Sequence, residues 1–377
     1  MALPVISADS HVVEPVRLWS ERLERKYQER APRVHWDTER LGWFFTCDGL
    51  QPALINSLYA TDKSPEEFAD ALHSGAEAAR AGGNDPVART KDMAQDGVAA
   101  EVLYPSLAMS LFWLGDAAFQ RACFRAYNDW LAEFTAHAPD RLAGLGLISL
   151  WDVDEAVKEL RRCRAMGLRG AAVWASPAPE RDFTTDANDR FWQEAQELGM
   201  PVSMHCLTGY RDSPRLFDYS TPLGRIQRNM GYPEEIQHSL TDLIFSGVLE
   251  RFPRLQLVLA ENDIGWVGYH LLHADRIYDK LGPVLHSTLT MPPGEYFRRQ
   301  VHATFTDDEV GIATMPLLGS GNFLWGSDYP HYEGSWPHSQ ELLARSFRNT
   351  PDDDRDQVVS RNCARLYGFD LETLAND

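Results

Sequence analysis

No stretch of the chain approaches the roughly 20 consecutive apolar residues that a membrane-spanning helix needs, so a membrane partner is not expected. The start, Met1-Ala2-Leu3-Pro4-Val5-Ile6-Ser7-Ala8-Asp9, lacks the basic flank of a secretory signal, and its short apolar run meets Asp9 at once. Cysteine is sparse. Cys47, Cys123, Cys163, Cys206 and Cys363 are odd in number, scattered and without C-x-x-C spacing. Free thiols and a cytoplasmic location are the expectation. Basic charge is also short, with 36 Lys+Arg against 55 Asp+Glu for a formal charge of −19. Such a surface repels phosphate backbones and no Lys/Arg cluster offsets it, so nucleic acid is not an expected partner. No glycine-rich phosphate loop follows an apolar run, which weighs against a dinucleotide-binding open sheet.

What is present is a globular chain of 377 residues, 44% hydrophobic, long enough to bury a large core. Eight short apolar runs read as strands covered on both faces: Val5–Ala8, Ala99–Tyr104, Gly144–Ser149, Gly170–Ala175, Val202–Cys206, Gln256–Ala260, His302–Thr306 and Phe323–Gly326. Helical spacing fills the intervals at Ala117–His137, Asp152–Met166, Thr185–Leu198, Pro233–Leu249 and Ile264–Lys280. Strand–helix alternation repeated eight times predicts a (β/α)8 barrel. One domain spanning 1–377 is expected, with insertions at about 34–92 and 207–232. The first insertion opens on a predicted hairpin over Val34–Leu50, and loops of this length point to lids or oligomer contacts.

In such a barrel, function sits where strands end. The first strand ends Asp9-Ser10-His11, the fifth Met204-His205-Cys206, and the eighth Gly326-Ser327-Asp328-Tyr329-Pro330-His331. Asp9 and His11, two apart on an extended chain, share a side. Alone, either aspartate is more often a turn former and His205 more often a hydrogen-bonded core residue. Placed together on three strand ends, two carboxylates and two imidazoles make a divalent-metal site, zinc first and manganese second. Tyr104, Trp174 and Tyr210 are candidates to line a substrate pocket, although core packing competes for each. His331 either binds substrate or holds the Asp328 loop.

These segments resemble the amidohydrolase-related family that includes aminocarboxymuconate-semialdehyde decarboxylase. The resemblance covers nearly the whole chain. It rests on Asp9-x-His11 with Val12-Val13-Glu14-Pro15, on Asp92-Met93-Ala94-Gln95-Asp96-Gly97-Val98 running on to Leu103-Tyr104-Pro105-Ser106, and on Tyr127-Asn128-Asp129-Trp130-Leu131 with Asp140-Arg141-Leu142. Ser246-Gly247-Val248-Leu249-Glu250-Arg251-Phe252-Pro253 and Gly326-Ser327-Asp328-Tyr329-Pro330-His331 complete it. The resemblance implies a distorted barrel, one catalytic divalent metal, usually zinc, and Asp9, His11, His205 and Asp328 as its ligands. Binuclear relatives carry a bridging lysine or carboxylate on the fourth strand. Here that strand reads Gly170-Ala171-Ala172-Val173-Trp174-Ala175, so one metal is expected. The family's decarboxylases place a histidine after the sixth strand. This chain has Leu259-Ala260-Glu261-Asn262-Asp263, with Glu261 in that place. Glu261 reads equally as a helix cap or support for a ligand, and as a general acid/base or added oxygen ligand.

The first expectation for function is a mononuclear metal-dependent hydrolase. It would act on a small amide, ester, lactone or activated C–C substrate through metal-activated water, with Asp328 moving the proton. The alternative is non-oxidative decarboxylation of an aromatic or enol-type carboxylic acid, against which the absent histidine counts. A non-catalytic barrel is the third reading. A homodimer or larger homo-oligomer is the expected assembly.

Overall fold

Eight parallel strands form one sheet in the computed structural model, which describes residues 3–376 apart from 56–57, 59–60, 65, 68–69, 71–78, 211–221 and 285–286. The strands are β1 (Ile6–His11), then, after a small sheet of β2 (Arg33–Asp37), β3 (Gly42–Thr46) and β4 (Ala53–Leu54), β5 (Ala100–Tyr104), β6 (Leu142–Leu147), β7 (Gly170–Val173), β8 (Val202–His205), β9 (Leu257–Ala260), β10 (Val301–Phe305) and β11 (Phe323–Trp325). The order β1-β5-β6-β7-β8-β9-β10-β11 follows the chain. Past the end of β11 the chain meets β1 again: Asp328 N–H donates to Asp9 O at 2.9 Å and His11 N–H to Tyr329 O at 2.6 Å. The architecture is the (β/α)8 barrel read from the sequence, and all eight expected strands are present.

Strand alternation explains the core. On β5, Ala100, Val102 and Tyr104 face the barrel interior while Leu103 joins the layer between strands and helices. Val258 and Ala260 on β9 point inward, and Leu257 and Leu259 outward, in the same way. Both faces are covered, which is why these runs read as continuously apolar. Cys363, Ala364, Tyr367, Phe369 and Leu374 from the C-terminal segment pack into the interior cluster. All five cysteines are buried and none forms a disulfide.

The main helices are α1 (Pro86–Asp96), α2 (Ala117–Thr135), α3 (Val153–Ala165), α4 (Asp189–Leu198), α5 (Pro222–Phe245) and α6 (Val267–Leu281). Asp85, Asp116 and Asp152 cap α1, α2 and α3 by accepting hydrogen bonds from backbone N–H groups of the first turn. Two helix starts differ most from expectation. α4 begins at Asp189, not Thr185, because residues 182–188 form turns tied by the Asp182 and Thr185 side chains. α5 begins at Pro222, a full three turns before Pro233, which lies inside the helix. Proline favours a helix's first position, and the sequence offers two prolines for it. The helix then stops at Phe245, and Gly247 (φ 78°) separates it from Val248–Arg251. The expected hairpin near Val34–Leu50 exists as β2 and β3, with β4 added on its edge. Part of the remaining expected insertion, within 57–92 and 207–232, lies outside the described residues. Among the described residues no helix is long and apolar enough to cross a membrane.

Candidate metal centre

Each strand end delivers one part of the centre. β1 carries a register shift against β5 between Ser7 and Ser10, a bulge that re-aims the side chains beside it. Asp9 and His11 follow from it. Ser7, Ser10 and Ser327 share hydroxyl contacts of 2.8–3.2 Å behind them. Gly326 lets the last strand end pass so close to β1 that a Cβ there would sit 2.5 Å from Asp9 Cβ. Glu261 and Asp328 both hold positive φ, 53° and 54°. That region is costly for residues with a Cβ and clusters at functional sites.

The imidazoles are set by carbonyls. His11 Nδ1 lies 2.7 Å from Pro105 O, and His205 Nδ1 2.9 Å from Cys206 O. A carbonyl only accepts, so in each neutral ring Nδ1 carries the hydrogen and Nε2 offers a lone pair. Both Nε2 atoms are buried without a hydrogen-bond partner, as are Asp9 Oδ1 and Asp328 Oδ1. One such orphan costs about 1–3 kcal/mol; three of them, Asp9 Oδ1 and the two Nε2 atoms, share one donor group with Glu261 and call for a cation. His11 Nε2 is 3.6 Å from Asp9 Oδ1, 3.4 Å from Glu261 Oε2 and 3.2 Å from Asp328 Oδ1. His205 Nε2 is 3.5 Å from Asp9 Oδ1 and 3.2 Å from Glu261 Oε2. A tetrahedral site with ligands at about 2.0–2.1 Å has edges of about 3.3–3.4 Å. The donors therefore fit a divalent ion in spacing and in chemistry.

Electrostatics carry the same message. Burial lowers the His11 pKa, and the neighbouring His331 lowers it further. At His205 burial also acts downward, but Cys206 and Asp9 outweigh it and the ring titrates well above its ordinary value. Burial raises the Glu261 carboxyl, yet the two imidazoles overcome this and hold it well below the usual range. Burial and the Glu261 charge push Asp328 well above it. The carboxylates thus draw positive charge onto His205 while His11 keeps its lone pair, and a bound cation meets both conditions.

The residues read from sequence as Asp9, His11, His205, Glu261, Asp328 and His331 thus come together. His331 stacks on His11 with ring centroids 3.9 Å apart; its Nδ1 is 2.8 Å from Asp328 Oδ1 without hydrogen-bond alignment, and its Nε2 is 2.9 Å from Ser106 Oγ. Glu261 caps no helix: α6 starts six residues later, with no side-chain cap. Tyr104 lies beneath the ligands, 4.8 Å from the His205 ring, its hydroxyl donating to Ser203 Oγ at 2.9 Å. Trp174 is buried and donates to Phe112 O at 2.8 Å; with Trp151 and Tyr210 it forms an edge-to-face aromatic cluster beyond β7 and β8.

Two supporting residues escaped the sequence reading. Thr304 Oγ1 donates to Asp9 Oδ2 at 2.7 Å and accepts from Glu261 N–H at 2.8 Å, joining two carboxylate-bearing strand ends. Arg89 is fully buried. Its Nη1 donates to His11 O at 2.6 Å, its Nε to Glu101 Oε2 at 2.5 Å, and its guanidinium lies 4.4 Å from the Tyr329 ring centroid. It grips the backbone of one metal-facing strand and supports the loop of another.

A family model described as Amidohydrolase matches residues 33–369. The chain belongs to the amidohydrolase family. It is 24% identical over 292 residues to 2-amino-3-carboxymuconate-6-semialdehyde decarboxylase of Dictyostelium discoideum, covering 76% of this chain and 77% of that protein. An amidohydrolase structure from Mycobacterium avium subsp. paratuberculosis superposes with a TM-score of 0.76 at 20% identity, covering 98% of this chain and all of that one. A dihydroxybenzoic acid decarboxylase from a Polaromonas species, solved with bound manganese and an inhibitor, gives a TM-score of 0.66 at 17% identity over 98% of this chain and 97% of that one. This amidohydrolase-family chain is an enzyme with a donor group fit for a divalent metal ion.

Proposed function

We propose that the protein is a metal-dependent, non-oxidative decarboxylase of an aromatic or enol-type carboxylic acid. The observation that carries this reading is the relationship over three quarters of the chain to a named carboxy-lyase, alongside a donor group in this chain fit for a divalent cation. Hydrolysis came first from the sequence alone; the named relative favours the alternative.

Asp9, His11 and His205 would hold the ion, zinc or manganese, with a carboxylate from Glu261 or Asp328 completing the set. Bound there, it would supply Lewis-acid polarisation of the substrate oxygens. Asp328 is the group placed to deliver a proton to the carbon that bears the carboxylate. The C–C bond then breaks, CO2 leaves, and the bonding pair stays with the substrate carbon as the new C–H bond is completed. His331, between Asp328 and Ser106, is placed to return the proton. Trp151 and Tyr210, half-buried and packed edge-to-face on the buried Trp174, offer flat apolar surface suited to a planar substrate.

The test is turnover of metal-loaded protein with ortho-hydroxylated aromatic carboxylates and enol-type acids in D2O. Release of CO2 with one deuterium at the vacated carbon is expected. Cleavage of esters, lactones or amides with no CO2 from any acid would restore the hydrolase reading.

A further inference from the structure

The donor atoms fall into two overlapping groups, and Glu261 belongs to both. Asp9, His11, His205 and Glu261 offer atoms that all lie within 4.8 Å of one another; so do His11, Glu261, Asp328 and His331. Asp328 is not in the first. Glu261 Oε2 faces both lone-pair nitrogens, at 3.4 and 3.2 Å, and the same two nitrogens face Asp9 Oδ1 at 3.6 and 3.5 Å. That is a ring of four edges, each matching a four-ligand site. Asp328 Oδ1 is 3.2 Å from His11 Nε2 and otherwise turns to His331 Nδ1 at 2.8 Å.

We infer that Glu261, not Asp328, closes the metal's ligand set in this chain, and that Asp328 is thereby left as the proton-carrying group facing substrate. The inference rests on the proposed metal-dependent reading and departs from the ligand set that the family resemblance implies. Two further observations support it. Glu261 is held in place: its φ is positive, as is that of Asp328, and a conformation of this kind persists only where its surroundings enforce it. The enforcing contact is Thr304, whose hydroxyl binds Glu261 N–H and Asp9 Oδ2 together, so the two carboxylates are positioned as one unit. Asp328 Oδ1 lies instead 2.8 Å from Nδ1 of His331, which is 18% exposed and bonded onward to Ser106, the neighbour through which a proton would reach the buried carboxyl. Where the resemblance expects a histidine outside the ligand set, this chain has a carboxylate within reach of both imidazoles. The hard oxygen donor takes the place in the set and frees the aspartate.

The experiment compares Glu261→Gln with Asp328→Asn in the full chain, without substrate. Affinities for Mn²⁺ and Zn²⁺ are measured by competition with a chromogenic chelator, and the visible absorption of the Co²⁺-loaded proteins is recorded. Glu261→Gln is expected to weaken binding at least 100-fold and shift the Co²⁺ bands. Asp328→Asn is expected to bind within about threefold of the parent with unchanged bands, and to lose turnover. Asp328→Asn losing metal as severely as Glu261→Gln, or Glu261→Gln binding like the parent, overturns the assignment. Thermal melts of both variants monitor folding. If the glutamine variant does not fold, Glu261→Asp, which keeps the charge but shortens its reach, is judged by the same affinity and spectral outcomes. Since the readout is metal binding, it stands or falls separately from whether the substrate is a carboxylic acid.

Discussion

Thr304 shows at single-residue scale how much of the centre is held by groups that never meet the ion. Its hydroxyl both donates to Asp9 Oδ2 and accepts from Glu261 N–H. Removing such support typically costs 10–100-fold in metal affinity. Thr304→Val should therefore weaken Mn²⁺ or Zn²⁺ binding by about 10–100-fold, and Thr304→Ser should restore it; a valine variant with parental affinity would contradict the role. His302, two residues earlier on β10, carries a different prediction. It is buried, and burial, with Arg365 nearby, lowers its pKa to about 3. Unfolded, it would titrate near 6.5. Its contribution to stability is thus fully present above pH 6.5 and is lost as pH falls toward 3, by about 1.4 kcal/mol per pH unit at most. His302→Gln should flatten the fall in urea midpoint between pH 6.5 and 4. An unchanged slope would place the acid sensitivity elsewhere. The sequence made the ligands legible because D-x-H and the final Ser-Asp-Tyr-Pro-His stand at strand ends, where chemistry concentrates. Thr304 and Arg89 were not legible. A threonine in a strand reads as a β-former, and an arginine in an amphipathic helix reads as solvent-facing. Only the fold shows that Arg89 points inward to His11 O.

At the scale of elements, the eight strands were legible because burial on both faces leaves uninterrupted apolar runs, as in Leu257–Ala260. Element ends were less so. The start of α5 depends on which proline takes the first helical position, and local sequence does not decide between Pro222 and Pro233. The bulge in β1 was also hidden, since it arises from pairing with β5 rather than from the composition of Ser7–Ser10. That bulged strand and the glycine opposite it make the junction between first and last strands unusually tight. A methyl group at residue 326 would meet Asp9 Cβ at 2.5 Å, its Cα at 3.1 Å and its carbonyl oxygen at 3.0 Å, backbone contacts that cannot swing aside. Gly326→Ala should destabilise the protein by about 1–3 kcal/mol, the usual range for overpacking, and should also lower metal affinity because the displaced strand carries Asp9 and His11. Chemical denaturation and chelator competition measure the two effects. A variant destabilised but with parental affinity would mean that the junction yields on the β11 side alone.

For the whole molecule, the two ends of the barrel do different work. At the closed end, Tyr367, Phe369 and Leu374 pack against inward residues of β5, β6 and β9, and this apolar contact is independent of any ion. At the open end, three carboxylates and two imidazoles from four strand ends face one another, and four of the five carry an orphaned buried atom. Such an arrangement is unfavourable until a cation neutralises it. Metal binding therefore stabilises the fold by mass action, RT ln(1 + [M]/Kd), which is about 2.7 kcal/mol at 100 times Kd. Chelation should lower Tm by several degrees, and returning Mn²⁺ or Zn²⁺ should raise it progressively with concentration. In the Gly326→Ala and Thr304→Val proteins the same titration should need more metal for the same rise. A Leu374→Ala change at the closed end should lower Tm at every metal concentration by one constant amount, because Leu374 belongs to the apolar cluster and not to the donor group, and effects of separate sites add. Calorimetry across a metal series separates the cases. If the Leu374 variant instead needed more metal for its rise, stability and ion binding would be coupled through the barrel, and the division between its ends would fail.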